Sequence, residues 1–384
     1  MKKNKVSSIA RQRKYLSFKH KVLTAAFVGM VFLGGCESAE LEQRSFPLAV
    51  GIDLQEPFEG NDKEARERKL VVSFDFPDLA QISEKGKTTD TPMGMSLEGV
   101  DMYHVDKSYE NNTNRILDYN HMKAVVLGKS LLSDSRHLRS LLLAWEQQEA
   151  AARNISLFVG GSSAAEILTL TQETEGSMGT YLEEMLESQK DFRQKKIATI
   201  GSLINQWHNQ DELLLIPVLM EQGNRPTITG YAAVENFNYC KILTVEEAME
   251  TFLCQNLLES FLCEPDWDEA AEISNLQTVL SVDEAEGRPV VTVSIKGQGR
   301  MRTGQIHSVG QQYQVEQRME KHIIANLQET AVKLREECGV DITNSYVSLG
   351  GLNRELYWKY QDRQEAYNQS VEHVFEVDIE ILDW

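Results

Sequence analysis

Cysteine is scarce in this chain: five residues in 384, namely Cys36, Cys240, Cys254, Cys263 and Cys338. That is too few for the disulfide framework of a small secreted domain. Two bridges are arithmetically possible among the last four. Cys338 falls on a helical apolar position, however, and buried, unpaired thiols are the expectation. Histidine is thin as well. The eight histidines (20, 104, 121, 137, 208, 307, 322 and 373) form no HExxH or Cys/His finger spacing, so no metal site is predicted. Long apolar runs are also missing. Residues 22–35 are apolar but fall short of the roughly 20 residues that span a bilayer. No repeat or low-complexity signature occurs.

Nucleotide and nucleophile motifs are approached and missed. Gly128-Lys129-Ser130 follows an apolar strand pattern, but the first glycine of GxxxxGK[ST] is replaced by Lys123. Without that glycine-rich arc the backbone cannot wrap a phosphate. Gly160-Gly161-Ser162-Ser163-Ala164 is not GxSxG, and its serines read as helix caps. Gly297-Gln298-Gly299 has Arg302 where a dinucleotide fingerprint needs its third glycine. The acidic pairs Glu183-Glu184 and Glu246-Glu247 read as solvated helix faces, and Asp266-Trp267-Asp268 as a loop with a packed aromatic. No catalytic residue and no cofactor is therefore assigned.

What the chain does have stands at its start. The first 35 residues carry eight Lys/Arg and no Asp or Glu. A basic segment, a short apolar core and small residues before a cut describe a secretory signal. Leu33-Gly34-Gly35-Cys36 resembles a bacterial lipobox. That resemblance implies cleavage before Cys36 and its conversion to an N-palmitoyl, S-diacylglycerol cysteine. The acyl chains then supply membrane affinity, about 0.8 kcal/mol per buried CH₂. Removing residues 1–35 takes eight of 39 basic residues and none of 58 acidic ones, leaving a formal charge of −27. Such a body is repelled by nucleic acid and by anionic headgroups.

Hydropathy patterning predicts an α+β chain. Strands are expected at 46–53, 70–76, 123–127, 155–159 and 213–220, with a hairpin at 227–234 and 239–243. Further strands are expected at 275–282, 289–298 and 374–381. Helices are expected at 97–117, 131–145, 164–170, most of 175–209, 244–261 and 355–367. The clearest helix lies within 311–338 (core about 314–338), where Ile324, Leu327, Ala331, Leu334 and Cys338 form one stripe and Gly339 supplies the stop. Thr244 with Glu247 reads as a capping box. The expected divisions are a signal peptide, 1–35, an N-terminal α/β region, 36–208, and a C-terminal α/β region, 209–384.

Taken in order, these features resemble one family, the Ger(x)C lipoproteins, which are C subunits of spore germinant receptors. The likeness starts at the lipobox and continues through Glu40-Leu41 and Leu48-Ala49-Val50-Gly51-Ile52-Asp53. It runs on through His121 to Lys129, Ile167-Leu168-Thr169-Leu170, Gly230 to Val234 and Ile242 to Glu247. It ends with the long helix, Gly339-Val340-Asp341-Ile342, Leu356-Tyr357-Trp358 and the closing strand. Glu37 and Ser38 stand where the family often has an aromatic, and the glycines expected just after Asp341 sit at 350 and 351. The resemblance implies three mixed α/β domains, each a sheet with packed helices, outside a membrane (the inner spore membrane). It implies multi-pass A and B subunits as partners, a role in spore germination and no catalysis. The alternative is a solute-binding lipoprotein of a transport system, which needs an aromatic-lined cleft. Trp207, Trp267 and Trp358 are candidates for it by residue type only. A two-carboxylate envelope hydrolase is a third reading.

Overall fold

In the computed structural model the chain alternates strands and helices. The structure describes residues 43–55, 68–77, 95–148, 152–170, 177–188, 192–208, 212–266 and 268–383. The first strand is β1 (Ala49–Leu54), followed by β2 (Leu70–Asp75) and β3 (Met95–Gly99). Helix α1 (Met102–Thr113), strand β4 (Ala124–Gly128) and helices α2 (Lys129–Leu132) and α3 (Ser135–Gln148) come next. Then follow β5 (Ser156–Gly160), α4 (Ala164–Thr169), α5 (Met178–Glu187), β6 (Phe192–Gln194) and α6 (Ile200–Asn205). Three antiparallel strands, β7 (Leu214–Gln222), β8 (Arg225–Glu235) and β9 (Asn238–Leu243), lead to α7 (Val245–Cys254). The last part holds β10 (Leu258–Asp266), β11 (Glu269–Ala285), β12 (Arg288–Thr303) and the 30-residue α8 (Val309–Cys338). It ends with α9 (Ser345–Leu352), α10 (Arg354–Tyr360), α11 (Gln364–Ser370) and β13 (Glu372–Asp383).

These strands make two large sheets. The first has eight strands in the order β9-β8-β7-β5-β4-β1-β2-β3. Its centre, β1 with β4, β4 with β5 and β5 with β7, is parallel. A parallel sheet covered on both faces needs strands that are apolar on both sides. AVVLG of β4 and SLFVG of β5 meet this, being buried at every position. One face packs on α1, α3 and α6, through Val105, Leu138, Leu142 and Leu203. The other packs on α4 and α5, through Ile167, Met178 and Leu182.

The second sheet runs β13-β12-β11-β10-β6, antiparallel except for β12 with β13. Its strands alternate, as a sheet with one wet face requires. Val291, Val293 and Ile295 face the core, while Thr292, Ser294 and Lys296 do not. Helix α8 covers the core face with Val315, Met319, Ile323, Leu327 and Leu334. The described residues from Ser45 on form one compact unit that holds both sheets.

The two sheets share chain. Strand β6 lies between first-sheet elements in sequence yet pairs with β10 of the second sheet. Strands β7 and β8 turn Ile216, Val218 and Ala232 to the first core and Leu215, Tyr231 and Ala233 to the second. The expected boundary at 208/209 therefore falls between two neighbours of one sheet, β5 and β7.

The expected α+β class is what is found, with local corrections. Leu97 is in a strand, because Asp101 accepts the His104 amide and starts α1 only there. Residues 175–209 are not one helical run: β6 interrupts them, and Thr199 caps a separate helix. The helix from Thr244 ends at Cys254, where Asn256 at φ 57° turns the chain. Asp362 at φ 59° splits the expected 355–367 helix into α10 and α11. Helix α9 was not expected. The capping box at Thr244 and Glu247 is present, and Gly339 ends α8 at φ 69°.

Candidate functional site at the carboxyl edge of the first sheet

In parallel sheets, ligands bind beyond the carboxyl ends of the strands. Three motifs singled out in the sequence converge there. Leu127 of β4 pairs with Ile52 of β1, and Gly128 pairs with Gly160 of β5. Asp53, Gly128-Lys129-Ser130 and Gly160-Gly161-Ser162-Ser163 thus share one edge. Helix α4 starts at this edge, so its first amides point at whatever lies between the strands.

That place is already taken by the chain itself. Asp53 Oδ1 accepts the Ala164 N–H at 2.9 Å, and Oδ2 accepts the Ala165 N–H at 3.0 Å. Ser163 Oγ accepts the Glu166 amide at 3.1 Å, and Ser130 Oγ accepts the Leu54 amide at 3.1 Å. A side chain at 128 is excluded, because a Cβ there would stand 1.8 Å from Asp53 Oδ1. Burial raises the Asp53 pKa against the lowering effect of its two amide bonds. The carboxylate fills the slot that a phosphate would need, so the near-miss P-loop has a packing role. Asp75, on the adjoining strand β2, repeats the device. It accepts the Gly179 N–H at 3.0 Å, at the start of α5, and burial pushes it up to about 6. Nothing in the sequence pattern marks Asp75 for this.

The second polar cluster is buried beneath β13. Asp341 accepts hydrogen bonds from Thr343 N (2.9 Å), Ser345 N (2.8 Å) and Ser345 Oγ (2.5 Å). His373 Nε2 lies 2.8 Å from Oδ1, the oxygen that also accepts the Thr343 amide, and Ser345 Oγ is 2.8 Å from Tyr367 Oη. Serine, aspartate and histidine are together, but the aspartate is in the middle. A nucleophile needs the imidazole on the hydroxyl; here His373 meets only the carboxylate. Burial works to raise Asp341. The hydrogen bond and charge of His373, with the Ser345 and Thr343 bonds, overcome it and hold the group well below the usual carboxylate range. The cluster is a structural lock, and the Asp-x-Thr-x-Ser spacing after Gly339 is the signal that could have found it.

Two grooves remain. One of about 690 Å³ lies between the flank of α8 and the second sheet, lined by Tyr313, Glu316, Glu320, Lys296 and Asp378. Its charges are engaged: Lys296 meets Asp378 at 3.1 Å, and Glu316 and Glu320 accept the Ile381 and Ile379 amides. The other, about 410 Å³, is lined by Ser156, Glu183, Arg193, Lys195 and Glu259. Glu183 there pairs with Lys123 at 2.9 Å.

Among the described residues, no group of three or more His, Cys, Asp or Glu is placed to hold a metal ion. Among them too, no helix is long and apolar enough to cross a membrane. Cys36, the expected lipidation site, lies outside the described residues, as does Trp267. Of the expected core thiols, Cys254 and Cys263 are buried and free. The other two correct the expectation: Cys240 and Cys338 form a disulfide. The helical stripe that pointed to Cys338 ends at the helix terminus, where the side chain reaches β9 as well as the core.

Residues 37–220 match the family described as "Spore germination protein N-terminal domain". The fold is similar to that in the "Crystal Structure of the GerBC protein", with TM-score 0.59 and 15% sequence identity, covering 88% of this chain and 98% of that chain. No curated protein matches the chain at a significant level.

Proposed function

The chain belongs to the Ger(x)C family, and from that premise we propose that it is a lipid-anchored, non-enzymatic subunit of a spore germinant receptor. In this reading Cys36 carries the N-palmitoyl and S-diacylglycerol groups and holds the protein on the extracytoplasmic face of the inner spore membrane. Multi-pass A and B subunits are its partners, and initiation of germination is the process it serves.

The observation that carries the reading is where the family match starts. It opens at residue 37, directly after the lipobox cysteine. The chemistry of the polar clusters agrees with a non-enzymatic role. The carboxylates of Asp53 and Asp341 are engaged within the chain, Asp53 by two backbone amides and Asp341 by amides, hydroxyls and an imidazole.

Mass spectrometry of the mature N-terminus tests the anchor. The expected result is a diacylglyceryl, acylated Cys36 as the first residue. A Cys36→Ala variant should leave the membrane fraction and slow germination. An unmodified Cys36 peptide in functional protein would overturn the reading.

A further inference from the structure

The disulfide joins the edge of the eight-stranded sheet to the helix that covers the five-stranded one. Cys240 lies on β9, the edge strand of the eight-stranded sheet. Cys338 is the last residue of α8, whose apolar stripe belongs to the five-stranded sheet. Their Cα atoms are 5.7 Å apart, within the span a disulfide allows, and 98 residues of sequence separate them. Both side chains are half-buried, within reach of another protein.

The neighbouring contacts align the two thiols without fixing them. Lys241 and Glu337, each next in sequence to one of the cysteines, form an ion pair. Glu337 is half exposed, so the pair contributes little on its own. One turn earlier on α8, Lys333 pairs with Glu247 of the α7 capping box. The remaining described cysteines do not compete. Cys254 and Cys263 are buried and free, and burial pushes both thiols up, Cys263 to about 12. Thiolate is the species that exchanges, so only one pairing is chemically open.

We propose that Cys240 and Cys338 are a maturation site. The chain is exported as a dithiol, and a thiol–disulfide oxidoreductase outside the cytoplasm closes the bond that latches α8 to β9. The extracytoplasmic setting rests on the function proposed above. One cysteine thiolate attacks a sulfur of the oxidoreductase's disulfide, giving a mixed disulfide and releasing that enzyme's other thiolate. The second cysteine then attacks the mixed disulfide and expels the enzyme. Two S–H bonds are lost and one S–S bond is gained. Two electrons and, relayed through water, two protons pass to the enzyme, which departs as a dithiol.

The test uses full-length protein from the native membrane. Thiols are alkylated in denaturant, before and after reduction, and mapped by mass spectrometry. Cys254 and Cys263 should label before reduction, and Cys240 and Cys338 only after it. In cells lacking the extracytoplasmic oxidoreductases, all four should label before reduction. Reductant should lower the wild-type melting temperature by about 5 °C, given the long loop that the bond closes. The Cys338→Ser variant should start lower and not respond. If that variant does not fold, reductant titration of the wild type carries the same measurement. Free Cys240 and Cys338 in protein that still bears a lipidated Cys36 would overturn the latch and leave the receptor reading standing. An unlipidated protein with the bond intact would do the reverse. Normal oxidation in the deficient cells would overturn the enzymatic step.

Discussion

The central strands of the eight-stranded sheet are covered on both faces, whereas the five-stranded sheet keeps one face in water. The two regions consequently place their charges differently. In the first, Asp53 and Asp75 sit under helix starts, met by backbone amides and, among the described residues, by no ion pair, and burial raises both. In the second, Asp341 is more deeply buried yet lowered, because His373 and two hydroxyl side chains meet it. Glu250 in α7 shows that the region itself is not the cause. It is buried against the neutral Thr330 hydroxyl and is pushed up to about 7. Depth sets the cost of a charge; the partner sets the sign of the shift. The first region uses carboxylates to seat helices on strand ends, and the second uses one to lock a turn.

The largest effect that would break this comparison is at Gly128. A methyl group there overlaps Asp53 and must push the carboxylate off both amides. Overpacking and the lost charge-assisted bonds together should cost about 3 kcal/mol or more. Urea unfolding of Gly128→Ala measures it. A change under about 0.5 kcal/mol, in the range of ordinary surface substitutions, would mean that the slot has room and that Asp53 does not fill it.

The pH dependence sharpens the contrast, because the two shifts have opposite signs. Asp341 is lowered on folding, so its contribution is present above the unfolded carboxylate value and is lost as pH falls below about 4. Asp75 is raised to about 6, so its contribution runs the other way: stability declines as pH rises from about 4 to about 6 and then levels. Asp341→Asn should cost about 3 kcal/mol at neutral pH, because it breaks a buried pair, and should remove part of the acid sensitivity. Asp75→Asn should cost little at neutral pH and flatten the slope between about pH 4 and pH 6. Denaturation series from acid to neutral pH would separate them. Matching slopes in the two variants would sink the argument from partners.

Much of the fold was legible because both sheets obey simple periods. The fully buried runs at 124–128 and 156–160 and the alternation at 289–298 and 374–381 marked their strands. Thr244 and Gly339 marked two helix ends through local capping chemistry that needs no tertiary partner. What failed was non-local. Strand β6 is three residues long and exists only because β10 accepts it. Asn256 and Asp362 end helices by adopting positive φ, which their sequence neighbourhood does not announce. The site was half visible. Gly-Ile-Asp, Gly-Lys-Ser and the Gly-Gly-Ser-Ser stretch were each noticed, but their meeting depends on strand order. That Asp53 would fill the slot shows only once β1 lies beside β4.

The smallest effect concerns how the second sheet protects its edge. Strand β13 is the outermost, so its outward amides are free to pair with another chain. Helix α8 meets them with side chains four residues apart. Gln312 donates to the Ile381 carbonyl at 2.9 Å, Glu316 accepts the Ile381 amide at 2.9 Å, and Glu320 accepts the Ile379 amide at 3.2 Å. The spacing fits by geometry. Four helical residues rise about 6 Å, and two strand residues advance about 6.6 Å, so alternate amides find successive turns. Replacing Glu316 and Glu320 by alanine should cost only about 1 kcal/mol each, since the groups are partly solvated. The sharper readout is local: hydrogen exchange at the Ile379 and Ile381 amides should quicken well beyond the global change, and self-association should rise. If exchange at those amides follows global stability alone, the apolar stripe of α8 is what shields β13, and the carboxylates are incidental to the edge.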